Sequence, residues 1–417
     1  MADTETQDGN QTPVDGPLKG VRVLDLSRIL AGPTCTQLLG DLGADIIKIE
    51  RPVAGDDTRS WGPPFIKDAD GNDTRESAYY LCANRNKRSV AIDMAKPEGA
   101  ALIRELARDC DILIENFKVG GLKKYGLDYD SMKDEFPDLV YCSISGFGQT
   151  GPNAHKAGYD LMAQGYGGIM SLTGEPDGEP MKVAVGIADV VCGMYASTAV
   201  LAALRHRDLG NGGQHIDLGL VDTQISWLIN SGTNYLTSGK PPVRLGNQHA
   251  NIVPYQVFEA KDGHVIVASG NDRQYGRLCE LIGRPDLATD ERFAGNAGRL
   301  ENRDELIGIL AAELKKWRKD DLLAGLEERG VPVGPVNTVP EVFASEQVKA
   351  RDMKITMDHP VAGSGKVDLI GNPLKMSKTP VRYRRPPPML GEHTDEVLRE
   401  LLGEDALQQA RANKVVE

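Results

Sequence analysis

The chain has 417 residues, of which 40% are hydrophobic and 26% charged, and 60 acidic against 48 basic side chains give a formal net charge of −12. Such a length suits two or three domains, or one large domain with an insertion, in an ordinary globular enzyme. The acidic balance argues against nucleic acid or a membrane surface as the main partner, and no run of about 18 apolar residues suggests a membrane-spanning helix.

Residues 1–17, "MADTETQDGNQTPVDGP", are acidic and rich in Pro and Gly, with neither an apolar core nor an Arg-rich amphipathic pattern. They predict a disordered lead and no targeting signal. From residue 18 onward, strand-like and helix-like segments alternate. "VRVLDL" predicts a strand, "AGPTCTQLLGDLG" a loop and then a helix opened by Pro33, and "ADIIKIE" the next strand. "RSVAIDM" predicts a strand, "KPEGAALIRELARDC" a helix, "DILIENF" a strand, "YDSMKDEFPD" a helical turn and "LVYCSISGFG" another strand. This alternation predicts βαβ units in a mostly parallel, doubly wound α/β sheet. The middle differs: "YQVFEAKDGHVIVASG" predicts a β-hairpin around Asp262-Gly263, followed by three helical segments, so that 230–335 reads as a smaller domain between 18–229 and 336–417. The tail adds the short strand "KVDLIG", a Pro-rich stretch and a last helix, "TDEVLRELLG".

The six cysteines (Cys35, Cys82, Cys110, Cys142, Cys192 and Cys279) show no CxxC or paired spacing, which predicts reduced thiols in the cytoplasm rather than a disulfide framework or a metal site. The turn after the first strand holds Gly32 alone where a dinucleotide fingerprint would need several glycines, so NAD and FAD are not expected. Basic residues (Arg51, Lys87, Arg88, Lys118, Lys123, Lys124 and Lys156) fall near predicted carboxyl ends of strands. They read either as a local phosphate-binding rim or as solvated surface charges. No GxSxG or HExxH occurs, and His155, His249, Tyr159 and Asp160 are ambiguous. Asp189 stands alone in the small, apolar run "VAVGIADVVCGMYASTAVLAALRHR". Burying an unpaired carboxylate is costly, so such a group is paired, capping or functional. At the start of a helix it reads as an N-cap or as a nucleophile that the helix N-terminus keeps ionised.

"VRVLDLSRILAGPTCTQLLGDLGADIIKIERP", "NRNKRSVAIDM", "DILIENFKVGGLKKYGL", "SISGFGQTGP", "AGYDLMAQ", "GIADVVCGMYA" and the tail "PPPMLGEHT" together resemble the class III CoA-transferases, over about residues 18–417. The likeness is greatest to the branch that uses succinate and hydroxymethylglutarate. The resemblance implies a large Rossmann-like domain built from both chain ends, a small middle domain, and an interlocked homodimer. It implies coenzyme A or acyl-CoA as a substrate, no permanently bound cofactor and no metal. It places the family's nucleophile on Asp189 and CoA contacts on Ala31, Arg51, Ile92, Asp93, Met94, Ala95, Asn116, Phe117, Lys118 and Lys124, with Lys156 one residue from a further basic position. Succinyl-CoA is the implied donor and a C4–C6 dicarboxylate, such as glutarate or hydroxymethylglutarate, the acceptor. Arg28, Tyr159, Arg244 and His249 are the candidates for contacting the acyl group.

Several positions depart from relatives in the family. Leu30 replaces a Gln, Ala95 replaces a Lys, and the glycine-rich loop of formyl-CoA transferases is missing, which argues against oxalate as acceptor. Tyr159 stands where the related 2-methylacyl-CoA racemases carry a histidine, and a phenol is a poor base near neutral pH. Racemisation is therefore the weaker reading, and a non-catalytic CoA-binding protein, which would not need Asp189, the remaining alternative.

Overall fold

A computed structural model describes residues 16–416. The lead expected over 1–17 lies, except for its last two residues, outside the described residues. The chain divides into two compact units: one of residues up to Gly167, Ala184–Trp227 and Gln347 onward, the other of Gly168–Val183 and Leu228–Glu346. The cuts fall at 227/228 and 346/347, not at 229/230 and 335/336, and the stretch 168–183 leaves the larger unit.

The larger unit is built on six strands, β1 (Arg22–Asp25), β2 (Asp45–Glu50), β3 (Lys87–Ala91), β4 (Ile112–Glu115), β5 (Val140–Ser145) and β6 (His215–Gly219). They pair in parallel in the order β3-β2-β1-β4-β5-β6. Winding proceeds outward from β1 to β3, then resumes on the other side of β1, so its direction reverses between β1 and β4. Helices on this frame include α1 (Ala31–Asp41), α2 (Pro97–Ala107), α3 (Asp160–Tyr166), α4 (Ile187–His206) and α5 (Leu220–Ser226). Helix α1 begins at Ala31, two residues before the predicted start. Pro33 is tolerated there because the first-turn N–H groups have no partner within the helix.

Both sheet faces are covered, which explains why the strands read as continuous apolar runs. Alternate residues point to opposite sides. Leu24, Ile47, Val90 and Leu113 join one core with Ile103 and Leu106 of α2 and with Val397 and Leu398 from the C-terminal helix Thr394–Leu402. Val23, Ile46, Ile112 and Cys142 join a second core with Cys35 and Leu39 of α1 and Cys192 and Ala196 of α4. Helix α4 lies in a segment, Ile187–Asn211, long and apolar enough by length and composition to cross a membrane. Half of the apolar window is buried inside the protein, as in a core helix. The tail completes the larger unit through helices; its strand Lys366–Ile370 pairs only with Lys354–Asp358, in a separate antiparallel ribbon.

The smaller unit holds a three-stranded antiparallel sheet, β7 (Tyr255–Ala260), β8 (Gly263–Ala268) and β9 (Val333–Pro335), in the order β9-β8-β7. The hairpin turn is Lys261-Asp262, one residue earlier than predicted, because Gly263 already pairs with Ala260. The helices Asp272–Leu281, Arg303–Leu314 and Lys319–Glu328 pack Leu278, Leu306, Leu310 and Leu326 onto Phe258 and Val265.

Candidate active site

In an open parallel sheet, ligands bind beyond the carboxyl ends of the strands where the winding reverses. Those ends are Asp25 of β1 and Glu115 of β4. The segments that follow them, Arg28–Ala31 and Asn116–Val119, line a cavity together with Ile144–Gly146, Ala154, Lys156–Tyr159, Asp189 and Leu220.

Side chains from three other elements fix the turn after β1. The Asp25 carboxylate accepts from the backbone N–H and the hydroxyl of Ser27, and Lys48 Nζ donates to the Ser27 carbonyl at 2.9 Å. The Asn116 amide accepts the Arg28 N–H at 2.9 Å and donates to the Arg28 carbonyl at 2.7 Å. The Ile29 N–H donates to the Asp56 carboxylate at 3.2 Å. Ile29 has φ 72°, a left-handed conformation that a β-branched residue adopts only under strong local constraint. Lys48 and Asp56 are fully buried as side chains and pair at 2.9 Å. Burial opposes the charge on Asp56, yet Lys48 and the N–H and hydroxyl of Thr58 hold its carboxyl at about 2. All three N–H groups from Ser27 to Ile29 are thus engaged by side chains, at the place where a dinucleotide-binding loop would offer them to phosphate.

Asp189 is the third residue of α4. The N-cap position belongs to Gly186, which corrects the N-cap reading of Asp189. The capping acceptor comes from α3: Asp160 Oδ1 accepts the Ala188 N–H at 2.8 Å, while Asp160 Oδ2 accepts the Gln164 amide at 2.7 Å. Two close approaches hold these parts together. A Cβ on Gly193 of α4 would stand 2.6 Å from the Ala31 carbonyl oxygen of α1, and a Cβ on Gly158 would stand 2.1 Å from the Cα of Gly146. Burial, and then the charge of Asp160, push the Asp189 carboxyl up to about 7. Burial and the second anion act against the helix N-terminus, whose dipole favours the ionised form by about 1 kcal/mol. A carboxylate of raised basicity on a cavity wall is equipped for nucleophilic attack. Arg28 Nε and Ser145 Oγ, from residues lining the same cavity, are buried and have no hydrogen-bond partner among the described residues.

A second cavity shares Arg28 and Phe117 with the first and is otherwise lined by Leu26, Lys48–Arg51, Gly55, Asp56, Ile92–Ala95 and Tyr125. Of the residues expected to face CoA, Ala31, Asn116, Phe117, Lys118 and Lys156 line the first cavity, and Arg51, Ile92, Asp93, Met94, Ala95 and again Phe117 the second. Lys124 lines neither; its ammonium lies 4.6 Å from the ring of Tyr125, which lines the second. Tyr159 lines the first cavity with Asp189. Arg28 pairs with Asp57 at 2.7 Å and lies 5.4 Å from the Phe117 ring. Arg244 and His249 belong to the smaller unit. Arg244 donates to the carbonyls of Glu175, Pro176 and Gly178, and His249 Nδ1 accepts the Asn251 N–H.

Lys87 and Arg88 do not form a rim. They stand at the amino end of β3, Lys87 fully buried against Asp25 and Asn84, Arg88 paired with Asp45 and Glu400. Among the described residues, no group of His, Cys, Asp and Glu is placed to hold a metal ion. Sequence reasoning left out Asp56 and could not assign Asp160. The available signals were an acidic residue in the loop after β2 and one opening a helix.

The profile of CoA-transferase family III matches residues 18–394. Succinate–glutarate CoA-transferase of Agrobacterium fabrum is 51% identical over 386 residues, covering 92% of this chain and 96% of that protein. Succinyl-CoA:glutarate CoA-transferase of Homo sapiens is 42% identical over 389 residues, covering 93% and 87%. The crystal structure of a CAIB/BAIF family protein from Brucella suis superposes with a TM-score of 0.82 at 50% identity, covering 93% of this chain and all of that one. With the motifs, the parallel sheet and these matches in agreement, the chain belongs to CoA-transferase family III and is a CoA-transferase.

Proposed function

We propose that the protein moves CoA from succinyl-CoA to a C4–C6 dicarboxylate, glutarate before hydroxymethylglutarate, with Asp189 as the covalent carrier. The observation that carries this reading is the Asp189 carboxyl, raised to about 7, on the wall of a cavity at the winding reversal. The names of relatives at 51% and 42% identity support the pair of acids.

In this reading the Asp189 carboxylate attacks the thioester carbonyl, forming an aspartyl–acyl anhydride and releasing CoA thiolate. The thiolate attacks the aspartyl carbonyl of the anhydride, giving an aspartyl–CoA thioester and free succinate. The acceptor carboxylate then attacks that thioester, forming a new anhydride and thiolate. Attack of the thiolate on the acyl carbonyl yields the new acyl-CoA and restores Asp189. Covalent steps conserve the thioester bond energy that hydrolysis would lose. The residues lining the second cavity, Arg51 and Ile92–Ala95, would hold the nucleotide end of CoA, with the pantetheine passing Arg28 and Phe117.

The test is mass spectrometry of the protein after incubation with succinyl-CoA alone. The wild type should carry a CoA adduct on the peptide containing Asp189, and Asp189→Ala should carry none and lose essentially all transfer. Transfer that persists in Asp189→Ala would refute the reading.

The working unit in this proposal is an interlocked homodimer. Apolar side chains left exposed on the larger unit, Leu161, Met162 and Tyr166 of α3 and Met194 and Tyr195 of α4, support a covering partner. Light scattering should give twice the mass of the chain.

A further inference from the structure

We propose that Asp160 is a positioning residue of the transfer reaction, fixing the first turn of the helix that carries Asp189 and setting a second anion beside its carboxyl. The inference rests on the reading of Asp189 as nucleophile.

Helix α4 starts with a glycine N-cap and has no capping side chain of its own. An uncapped first turn frays, and a nucleophile on its third residue would move with it. Asp160 supplies the missing acceptor across the chain, at 2.8 Å from the Ala188 N–H, the residue immediately before Asp189. Its other oxygen is held at 2.7 Å by Gln164, a fully buried residue one turn along α3. The Asp160 carboxylate lies in ordinary van der Waals range of the N-cap, 3.8 Å from where a Cβ on Gly186 would stand, while Leu30 Cδ2 at 3.0 Å is the neighbour that a side chain there would crowd. The approach of Gly158 to Gly146 in turn seats the start of α3 against the end of β5, which lines the cavity.

The same placement sets the charge around Asp189. Arg28, Lys118, Lys156 and Tyr159 line its cavity, Tyr79 faces it from the turn Ala78–Leu81, and Cys192 follows it along α4. Burial and Asp160 are what raise its carboxyl. Asp160 therefore acts in two ways: as a cap it keeps the carboxylate in place, and as an anion it keeps it basic, hence more nucleophilic when ionised.

The test is the pH dependence of kcat/KM between about pH 5 and 9 for the wild type, Asp160→Asn and Asp160→Ala. The wild-type acid limb should reflect Asp189. Asn keeps an acceptor for the Ala188 N–H and removes the charge, so its acid limb should move down by roughly half to one pH unit, with the high-pH plateau within about threefold of wild type. Ala removes both, so its limb should move likewise and its plateau fall roughly tenfold, with KM for succinyl-CoA little changed. A limb in Asp160→Asn that superimposes on the wild type overturns the proposal, even if the plateau falls, because lost activity alone marks only a structural role. Adduct mapping on the wild type separates the two readings. An adduct on Asp189 with an unmoved limb refutes the role of Asp160, whereas no adduct refutes the nucleophile.

Discussion

The side-chain amide of Asn116, at the end of β4, holds both backbone polar groups of Arg28, at the end of β1: it accepts the N–H at 2.9 Å and donates to the carbonyl at 2.7 Å. Both loops line the cavity at the winding reversal, and the amide ties them together. Asn116→Ala removes both bonds, each worth about 1 kcal/mol. It should lower kcat/KM for succinyl-CoA by roughly tenfold to a hundredfold, while the melting temperature falls only a few degrees. Unchanged kinetics would show that the turn holds its shape without the clamp.

Asp56 secures the same turn from beneath, bonded to Ile29, Thr58 and Lys48. Asp56→Ala leaves the fully buried Lys48 ammonium without this anion and should cost about 3–5 kcal/mol of stability, read as a lower denaturant midpoint. The pH dependence has a definite sign. The folded-state carboxyl is held at about 2, below its ordinary 3.8, so its contribution is present above the ordinary value and lost as pH falls through the folded one. The stability gap between wild type and Asp56→Ala should therefore narrow by roughly 2 kcal/mol as pH falls from above 3.8 to below 2.

Asp189 has the opposite sign. Its folded-state carboxyl lies at about 7 against an ordinary 3.8, so the folded protein holds this proton more tightly than the unfolded chain. The stabilisation is fully present below 3.8 and is lost as pH rises through 7. At pH 8 the buried charge costs at most about 4 kcal/mol, less whatever solvent still screens. Asp189→Asn should then melt a few degrees above wild type at pH 8 and coincide with it near pH 4. A variant that melts lower at pH 8 would mean that the carboxylate is held by attraction rather than tolerated for chemistry.

How far these relationships could be read in advance follows from the distance over which they act. The parallel sheet was legible because β1, β2, β4 and β5 read as largely apolar runs between helix signals, and β3 through the apolar stretch that ends it. β6, "HIDLG", was not: as an edge strand with one fully buried residue, it carries His215 and Asp217 and lacks that signature. Asp189 was legible as a lone carboxylate in an apolar run, and the family from the order of its motifs. The partners of that carboxylate were not legible. Asp160 is 29 positions away and is brought to the helix by the approach of two glycines, and Asp56 is recognisable only once Ile29 is seen to need a hydrogen-bond acceptor. Local pattern shows which residues are unusual, but not which distant groups compensate them.

The anchor for the far carboxylate of a dicarboxylate substrate is where sequence and structure part most clearly. Arg28 is the guanidinium in the turn beside Ala31 and so the natural candidate. In the structure Asp57 stands 2.7 Å from it, so a substrate carboxylate approaching Arg28 also meets an anion. Arg28 further lines both cavities with Phe117, which suits a contact to CoA better than one to the acid. If the acceptor is a dicarboxylate, a monocarboxylate of similar length leaves a cation unpaired in a closed site and should lose roughly 2–4 kcal/mol, a factor of roughly 30 to 1,000 in kcat/KM. Comparing glutarate with valerate measures this directly, and equal efficiency would end the dicarboxylate assignment. Arg28→Ala should raise KM for succinyl-CoA several-fold and leave the glutarate-to-valerate ratio within about threefold of wild type. The anchor is then sought among Lys118 and Lys156, which line the same cavity as Asp189. A ratio that collapses toward one in Arg28→Ala would instead show that the acid displaces Asp57 and that Arg28 is the anchor after all.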